Sequence, residues 1–365
     1  MIIDMIAGAR PNFMKISPII GAIKAKQNMG VNIEFRLIHT GQHYDKNMSG
    51  SFFEQLDIPN PDVNLGAGGG SQAEQTATIM IGYEKILIDK PSDLCLVVGD
   101  VTSTMACAIT AQKMQIPVAH VEGGIRSGDW SMPEEINRLV TDSITNWFFT
   151  TSETANHNLR NAGVDEGRIF FVGNTMIDTL LKFRPKFRKP PIWNKLGLKA
   201  QNYIVMTLHR PANVDEKEPL KNIMQEIIDH SGGLPLVFPV HPRTAKILDN
   251  HGIEYNRLHK IPPLSYLEFN YLVENAKAVI TDSGGITEET TVMGIPCITI
   301  RDNTERPETV TIGTNELIGT DPKNIKPVLE RLLSGKWKTG TIPQFWDGKT
   351  SERIVNKLIE ICPAD

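Results

Sequence analysis

The 365-residue chain has only four cysteines, Cys95, Cys107, Cys297 and Cys362, and no two of them stand in a CxxC or other metal-type spacing. Cys95 and Cys297 lie inside apolar runs, where a thiol serves as a small hydrophobe. A disulfide framework is therefore excluded, and a reducing, cytoplasmic compartment is expected. No apolar stretch reaches the about 20 residues that span a bilayer, and the opening MIIDMIAGAR interrupts its apolar run with Asp4, which makes a poor secretory signal. An excess of charge is lacking as well: 38 Lys and Arg stand against 42 Asp and Glu, a net charge of −4. That balance gives no electrostatic reason to expect nucleic acid or a membrane as partner. Several fingerprints are missing. No GxGxxG follows the first apolar run, and neither a GxSxG elbow nor a GxxxxGK[ST] loop occurs. None of the six tyrosines has a Lys four residues later, so the Tyr-Lys pair of one nicotinamide-using class is absent. No HExxH or Cys/His cluster exists, although His39 and His43 are four apart, and neither a metal nor any other cofactor is expected.

What is present is globular. A hydrophobic content of 40% with 22% charged residues supplies a core, and the length fits two ordinary domains. Short apolar runs recur at Ile2–Ala7, Phe35–His39, Leu94–Val98, Val118–Val121, Trp147–Phe149 and Ile169–Val172. Others follow at Tyr203–Met206, Leu236–Val240, Ala278–Ile280 and Cys297–Ile300. They alternate with segments of helical period such as Leu220–Ile228, a pattern that predicts βαβ units and parallel sheets buried on both faces, an α/β fold. Lys182–Pro191, with three prolines and five basic residues in ten positions, fits neither strand nor covering helix and reads as a solvated linker between halves.

The apolar runs end in clusters of polar, glycine or charged residues: Gly8–Pro11, Thr40–His43, Gly99–Thr102 and Glu122–Arg126 in the first half. Leu208–Pro211, His241–Arg243, Thr281–Gly285 and Arg301–Glu308 follow in the second. Open parallel sheets bind ligands beyond the carboxyl ends of their strands, so these clusters point to one cleft served by both halves. Ser283-Gly284-Gly285 at a helix start offers backbone N–H groups and a positive dipole end to a phosphate, with Arg10, Arg210 and Arg243 on other strand ends and Glu288 or Glu289 placed to grip a ribose. A Ser-capped helix with carboxylates in its first turn is the alternative without a ligand. Glu122, after a buried strand and beside two glycines, is in a setting where burial tunes a carboxyl for proton transfer. Glu134 and Glu135 follow Pro133, where, taken alone, a helix start with Arg138 as ion-pair partner is the favoured explanation. His209 and His241 both follow strands.

With those residues in place, the chain resembles the non-hydrolysing UDP-N-acetylglucosamine 2-epimerases. The resemblance runs from Gly8 to about Gly319 through GARPNFMKISP, TGQH, HVEGGIRSGDWSMPEEINR, VGNTMIDTL, LHRPAN, PVHPR, TDSGGITEE and TERPE. It implies a GT-B type fold, two Rossmann-like parallel-sheet domains with the active site in the interdomain cleft. Residues 1–180 would form the first domain, joined by a C-terminal helix within 351–365, and 181–350 the UDP-binding second. It also implies acid/base roles for Asp100, Glu122, Glu134 and His209, diphosphate contacts from Arg10, Ser283, Gly284 and Gly285, and a ribose contact from Glu289. Lys15, Arg126, Arg210, His241 and Arg306 are expected to line the same cleft. Gln42 and His43 match part of an allosteric site at which bacterial members bind a second UDP-sugar. A homodimer and a UDP-sugar substrate are implied, with inversion of carbon 2 through loss and re-addition of UDP. A hydrolysing 2-epimerase and a GT-B glycosyltransferase are the competing expectations. Where many members carry Thr and Glu at positions 9 and 12, this chain has Ala9 and Asn12.

Overall fold

The computed structural model describes all residues except 42–52, 215, 241, 251, 253–254 and 363–365, and only the backbone of residues 10, 211, 212, 242, 243 and 250. The chain divides into two compact units, Met1–Lys182 with Gln344–Asp365, and Phe183–Pro343. Among the described residues no helix is long and apolar enough to cross a membrane.

The first unit runs β1 (Ile2–Ala7), α1 (Arg10–Asn28), β2 (Glu34–His39), β3 (Val63–Asn64), α2 (Gln72–Asp89), β4 (Leu94–Val98) and α3 (Thr102–Lys113). It continues with β5 (Val118–Val121), α4 (Pro133–Ile144), β6 (Trp147–Thr150), α5 (Glu153–Asn161), β7 (Ile169–Phe171) and α6 (Thr175–Phe183). Among the described residues its seven strands are all parallel in the order β3-β2-β1-β4-β5-β6-β7. All five residues of β4 are buried, because helices cover both faces of such a sheet and an unbroken apolar run is the only stable filling.

The second unit holds α7 (Pro191–Lys195), β8 (Ile204–Thr207), α8 (Pro211–Val214), α9 (Lys217–His230), β9 (Leu236–Pro239), α10 (Pro242–Asn250), β10 (Leu258–Ile261) and α11 (Tyr266–Glu274). β11 (Ala278–Thr281), α12 (Gly284–Met293), β12 (Cys297–Thr299), α13 (Pro307–Thr311), β13 (Asn315–Leu317) and α14 (Ile325–Leu333) complete it. Among the described residues its six parallel strands follow the order β10-β9-β8-β11-β12-β13. Apolar clusters fill both faces: Met206, Ile223, Phe238 and Leu329 on one, Tyr203, Val237, Leu272 and Val279 on the other.

Both sheets reverse direction beside their first strand, between β1 and β4 and between β8 and β11. Each unit therefore has the Rossmann strand order and one topological switch point, where a crevice opens beyond the strand ends. All ten strands expected from the apolar runs are present. The three that were not expected, β3, β10 and β13, are sheet edges, two to four residues long. Having one free side, they carry polar residues such as Asn64, Lys260 and Glu316 in place of an apolar run.

The last helix, α15 (Thr350–Ile361), belongs to the first unit and packs on α1. Asp178 of α6 caps it, accepting from the backbone of Thr350 (3.0 Å) and Ser351 (2.7 Å) and from the Ser351 hydroxyl (2.7 Å). The approach is close: Gly173 has φ +102°, and a Cβ there would lie 2.1 Å from the carbonyl oxygen of Phe345, so only glycine fits. α1 contains Pro18, which cannot donate to the carbonyl of Met14. The Thr179 hydroxyl donates to that carbonyl instead, so the irregularity is satisfied within the same unit.

Candidate active site

In the first unit the switch point is built around α1. Asn12, in its first turn, accepts at Oδ1 from the backbone of Gly8 and Ala9 (both 3.1 Å) and donates from Nδ2 to the carbonyl of Val98 at 2.9 Å. One buried amide thus joins the loop after β1 to the end of β4, a role that the sequence comparison at position 12 did not reveal. A turn further along, Lys15 Nζ lies 2.7 Å from Glu122 Oε2, with both side chains buried. Glu122 has φ +72°, a left-handed conformation that costs a non-glycine residue about 1–2 kcal/mol. Its backbone N–H donates to Phe149 (2.8 Å), so sheet pairing and ion pair together hold it there. Gly99, at the end of β4, leaves room for this pair; a Cβ there would lie 3.1 Å from Lys15 Nζ.

Asp100 follows Gly99. Arg138 of α4 holds its Oδ2 from Nε (3.0 Å) and Nη2 (2.5 Å), and Asn137 donates to its carbonyl (2.8 Å). The first turn of α4 separates the two glutamates. Glu135 accepts from the backbone of Ser127 (2.9 Å) and Gly128 (3.0 Å), the Ser127 hydroxyl (3.0 Å) and Arg138 (2.6 Å). Burial opposes its charge, but these donors outweigh it and hold the carboxyl below its usual range. Arg138 is therefore the helix partner of Glu135, whereas Glu134 is half-buried and takes no part in that ion pair. Arg126 reaches Asp142 (2.6 Å), which also accepts from His120 (2.7 Å) and the backbone of Gly124 (3.0 Å).

In the second unit, Asp282 is the organising residue. It follows β11 and is fully buried, and its oxygens accept from the backbone of His209 (3.0 Å) and Arg210 (2.9 Å) and from Asn213 Nδ2 (3.0 Å). His209 Nδ1 lies 2.8 Å from Oδ1, with the rest of the His209 side chain 59% exposed. Burial works against the Asp282 charge, yet these donors hold it below the ordinary carboxylate range. An ionised Asp282 makes Nδ1 the protonated nitrogen and turns Nε2 outward, the tautomer and orientation that acid/base work requires. Thr207 and Thr281, paired in register, share a 2.7 Å hydroxyl hydrogen bond that ties the two strand ends across the switch point.

α12 starts beside them. Ser283 at its N-cap makes no side-chain cap, and no acidic residue stands in the first turn. The capped-helix alternative thus fails here: the Ser283 N–H donates to Thr281 Oγ1 (3.0 Å), and the N–H groups of Gly284 and Gly285 form an anion-compatible terminus. Glu289 is buried, accepts from Tyr266 Oη (2.8 Å) and lies 3.5 Å from Asn270 Nδ2. Burial, aided by the Glu288 charge, pushes its carboxyl up to about 7 against those donors. Glu288 instead pairs with Arg306. Arg210 reaches Glu305 at 3.5 Å and donates from Nε to the carbonyl of Asp282 at 3.1 Å, while Arg301 binds Glu305 at 2.8 Å.

The first unit thus brings together Lys15, Asp100, Glu122 and Arg126; the second brings together His209, Arg210, Ser283, Gly284, Gly285, Glu289 and Arg306. Gln42, His43 and His241 lie outside the described residues, as do the side chains of Arg10 and Arg243. The Glu135–Arg138 pair is the one expected from the helix start; His120, Asp142 and the orienting role of Asp282 escaped the sequence, because a supporting carboxylate is recognised only by the partner that folding delivers.

The model of the family described as UDP-N-acetylglucosamine 2-epimerase matches residues 24–359. UDP-N-acetylglucosamine 2-epimerase of Methanocaldococcus jannaschii is 41% identical over 374 residues, 98% of this chain and 99% of that protein. UDP-2,3-diacetamido-2,3-dideoxy-D-glucuronate 2-epimerase of Pseudomonas aeruginosa is 36% identical over 360 residues, again 98% and 99%. Among solved structures, the M. jannaschii enzyme in complex with UDP-GlcNAc and UDP superimposes with a TM-score of 0.87, covering 99% of this chain and 100% of that one at 41% identity. Two parallel-sheet domains, the strand-end chemistry and these matches agree: the chain has the GT-B type fold and belongs to the UDP-N-acetylglucosamine 2-epimerase family.

Proposed function

We propose that the protein interconverts UDP-N-acetylglucosamine and UDP-N-acetylmannosamine by inverting carbon 2, without hydrolysing the substrate and without a cofactor. Carbon 2 has no neighbouring carbonyl, so its proton is too weakly acidic for direct removal. In the proposed step a base takes the C2 proton while the C1–O bond breaks. The electron pair of C2–H becomes the C1–C2 double bond of 2-acetamidoglucal, and UDP leaves with the electrons of C1–O. Re-addition of UDP at C1, with a proton delivered to the other face of C2, gives the epimer.

Two faces require two proton-transfer groups with different environments. The observation that carries the reading is the buried Lys15–Glu122 pair at the switch point, with Asp100 at the neighbouring strand end: a glycosyltransferase needs one base and a nucleotide sensor none. Glu122, Asp100 and Glu134 supply candidates in the first unit, and the Asp282-oriented His209 supplies one in the second. Departing charge on UDP is met by the Ser283–Gly285 helix terminus and Arg10, preorganised donors that strengthen as charge develops, and Glu289 binds the ribose. Arg126, Arg210, His241 and Arg306 complete the proposed substrate contacts. The P. aeruginosa relative makes a diacetamido-uronic UDP-sugar the comparison substrate.

Incubation with UDP-N-acetylglucosamine in deuterated buffer, followed by NMR, tests this. UDP-N-acetylmannosamine with deuterium at carbon 2 is the expected result. Free N-acetylmannosamine with UDP indicates the hydrolysing reaction, and no exchange without an added acceptor indicates a transferase.

A further inference from the structure

Asp100 and Glu122 sit on different loops, one after β4 and one after β5, and their chemistry depends on the spacing between those loops. His120, the third residue of β5, is fully buried between them. Its Nε2 lies 2.8 Å from the carbonyl oxygen of Gly99, the residue before Asp100. Its Nδ1 lies 2.7 Å from Asp142 Oδ1. A carbonyl oxygen only accepts, so Nε2 carries a hydrogen. Asp142 is buried, which opposes its charge, yet His120 and Arg126 hold its carboxyl below the usual range. An ionised carboxylate also only accepts, so Nδ1 carries a hydrogen as well. The second oxygen of Asp142 accepts from the backbone of Gly124 (3.0 Å) and from Arg126 (2.6 Å). The charged groups around the joint are thus Asp142 and Arg126, with the Lys15–Glu122 and Asp100–Arg138 pairs on the adjoining segments.

We propose that His120, held as a buried imidazolium between Gly99 and Asp142, is a positioning residue that sets the distance between the Asp100 and Glu122 loops. The proposal deepens the epimerase reading and rests on it. A neutral imidazole has a single N–H and could secure only one side; the doubly protonated ring secures both. Because Asp142 belongs to α4, whose first turn bears Glu134, the same joint ties the third acid/base candidate to the other two. Its effect falls on the bond-breaking step, where a displacement of about 1 Å costs about 100-fold in rate, while the nucleotide contacts of the second unit are untouched.

The test has two arms. In the wild-type protein labelled with 15N-histidine, His120 should show two exchange-protected ring N–H protons and the 15N shifts of an imidazolium at pH 7–8. A single N–H with one unprotonated nitrogen overturns the proposal, whether or not the protein turns over UDP-N-acetylglucosamine. In the second arm, His120→Gln and Asp142→Asn should lower kcat for carbon 2 exchange by about 100-fold, with UDP affinity within about twofold of wild type. An unchanged kcat, or a loss of UDP affinity in parallel with kcat, overturns it. If neither variant folds, the wild-type spectrum decides. An absence of turnover in the wild type defeats the epimerase reading and leaves the spectroscopic result standing.

Discussion

Glu122 combines three costs that a purely structural residue would shed: a left-handed backbone, a buried charge and a dependence on Lys15. Strain held in place by its surroundings is a mark of functional positions. Glu122→Gln keeps the shape and an acceptor for Lys15 but removes the base. Deuterium incorporation at carbon 2 should fall by about 10²–10⁴-fold, with UDP affinity by calorimetry nearly unchanged; parallel loss of UDP affinity would make Glu122 a structural residue. Glu289 gives a pH prediction. Its carboxyl is raised from 4.5 to about 7, so between those values the folded state binds a proton that the unfolded chain has lost. Stability from this group therefore falls as pH rises from 4.5 through 7, and above 7 the folded state carries the full penalty of a buried charge, up to about 3 kcal/mol. Glu289→Gln should raise the urea midpoint at pH 8 and leave it almost unchanged at pH 5, while weakening UDP binding at pH 8. Equal stability shifts at both pH values would show that Glu289 does not titrate in this range.

At the scale of elements, the C-terminal helix depends on a residue from far earlier in the chain. Asp178 fills the N-terminal donors of α15, and Trp346, fully buried, donates to the carbonyl of Thr151 (3.1 Å). Asp178→Ala should cost about 2 kcal/mol in denaturant unfolding, and hydrogen exchange should accelerate first within Thr350–Ile361; uniform acceleration across the first unit would contradict a local capping role. The elements also mark where sequence reading works. Central strands such as β4 and β11 were legible because both faces are buried and their residues are apolar throughout. The edge strands β3, β10 and β13 were not, because a half-exposed strand of two to four residues with polar side chains has the composition of a loop; the fourth edge, β7, was legible because it is apolar throughout, Ile-Phe-Phe. Glu134 and Glu135 are identical in sequence terms, and only the fold of the Ser127–Gly128 turn back onto α4 tells them apart.

At the scale of the molecule, each unit is a parallel sheet whose order reverses once, and the described residues named for catalysis and binding stand at or beside those reversals. The strand-end clusters made this legible, since strands end where apolar runs stop and the next residues face the crevice. What sequence could not supply was the supporting layer: Asn12 against Val98, His120 against Asp142, Asp282 against His209. These contacts join residues 22 to 86 positions apart, and nothing in either partner's local sequence announces the other. The central claim is that the anomeric C–O bond breaks and re-forms during turnover. UDP-N-acetylglucosamine carrying 18O in the oxygen that bridges C1 and the β-phosphorus tests it directly. After incubation, recovered UDP-sugar should contain part of that 18O in non-bridging positions of the β-phosphate, because the released phosphate rotates before re-addition. If carbon 2 is inverted while all the label stays in the bridge, the C1–O bond has not broken to free UDP, and the account is contradicted.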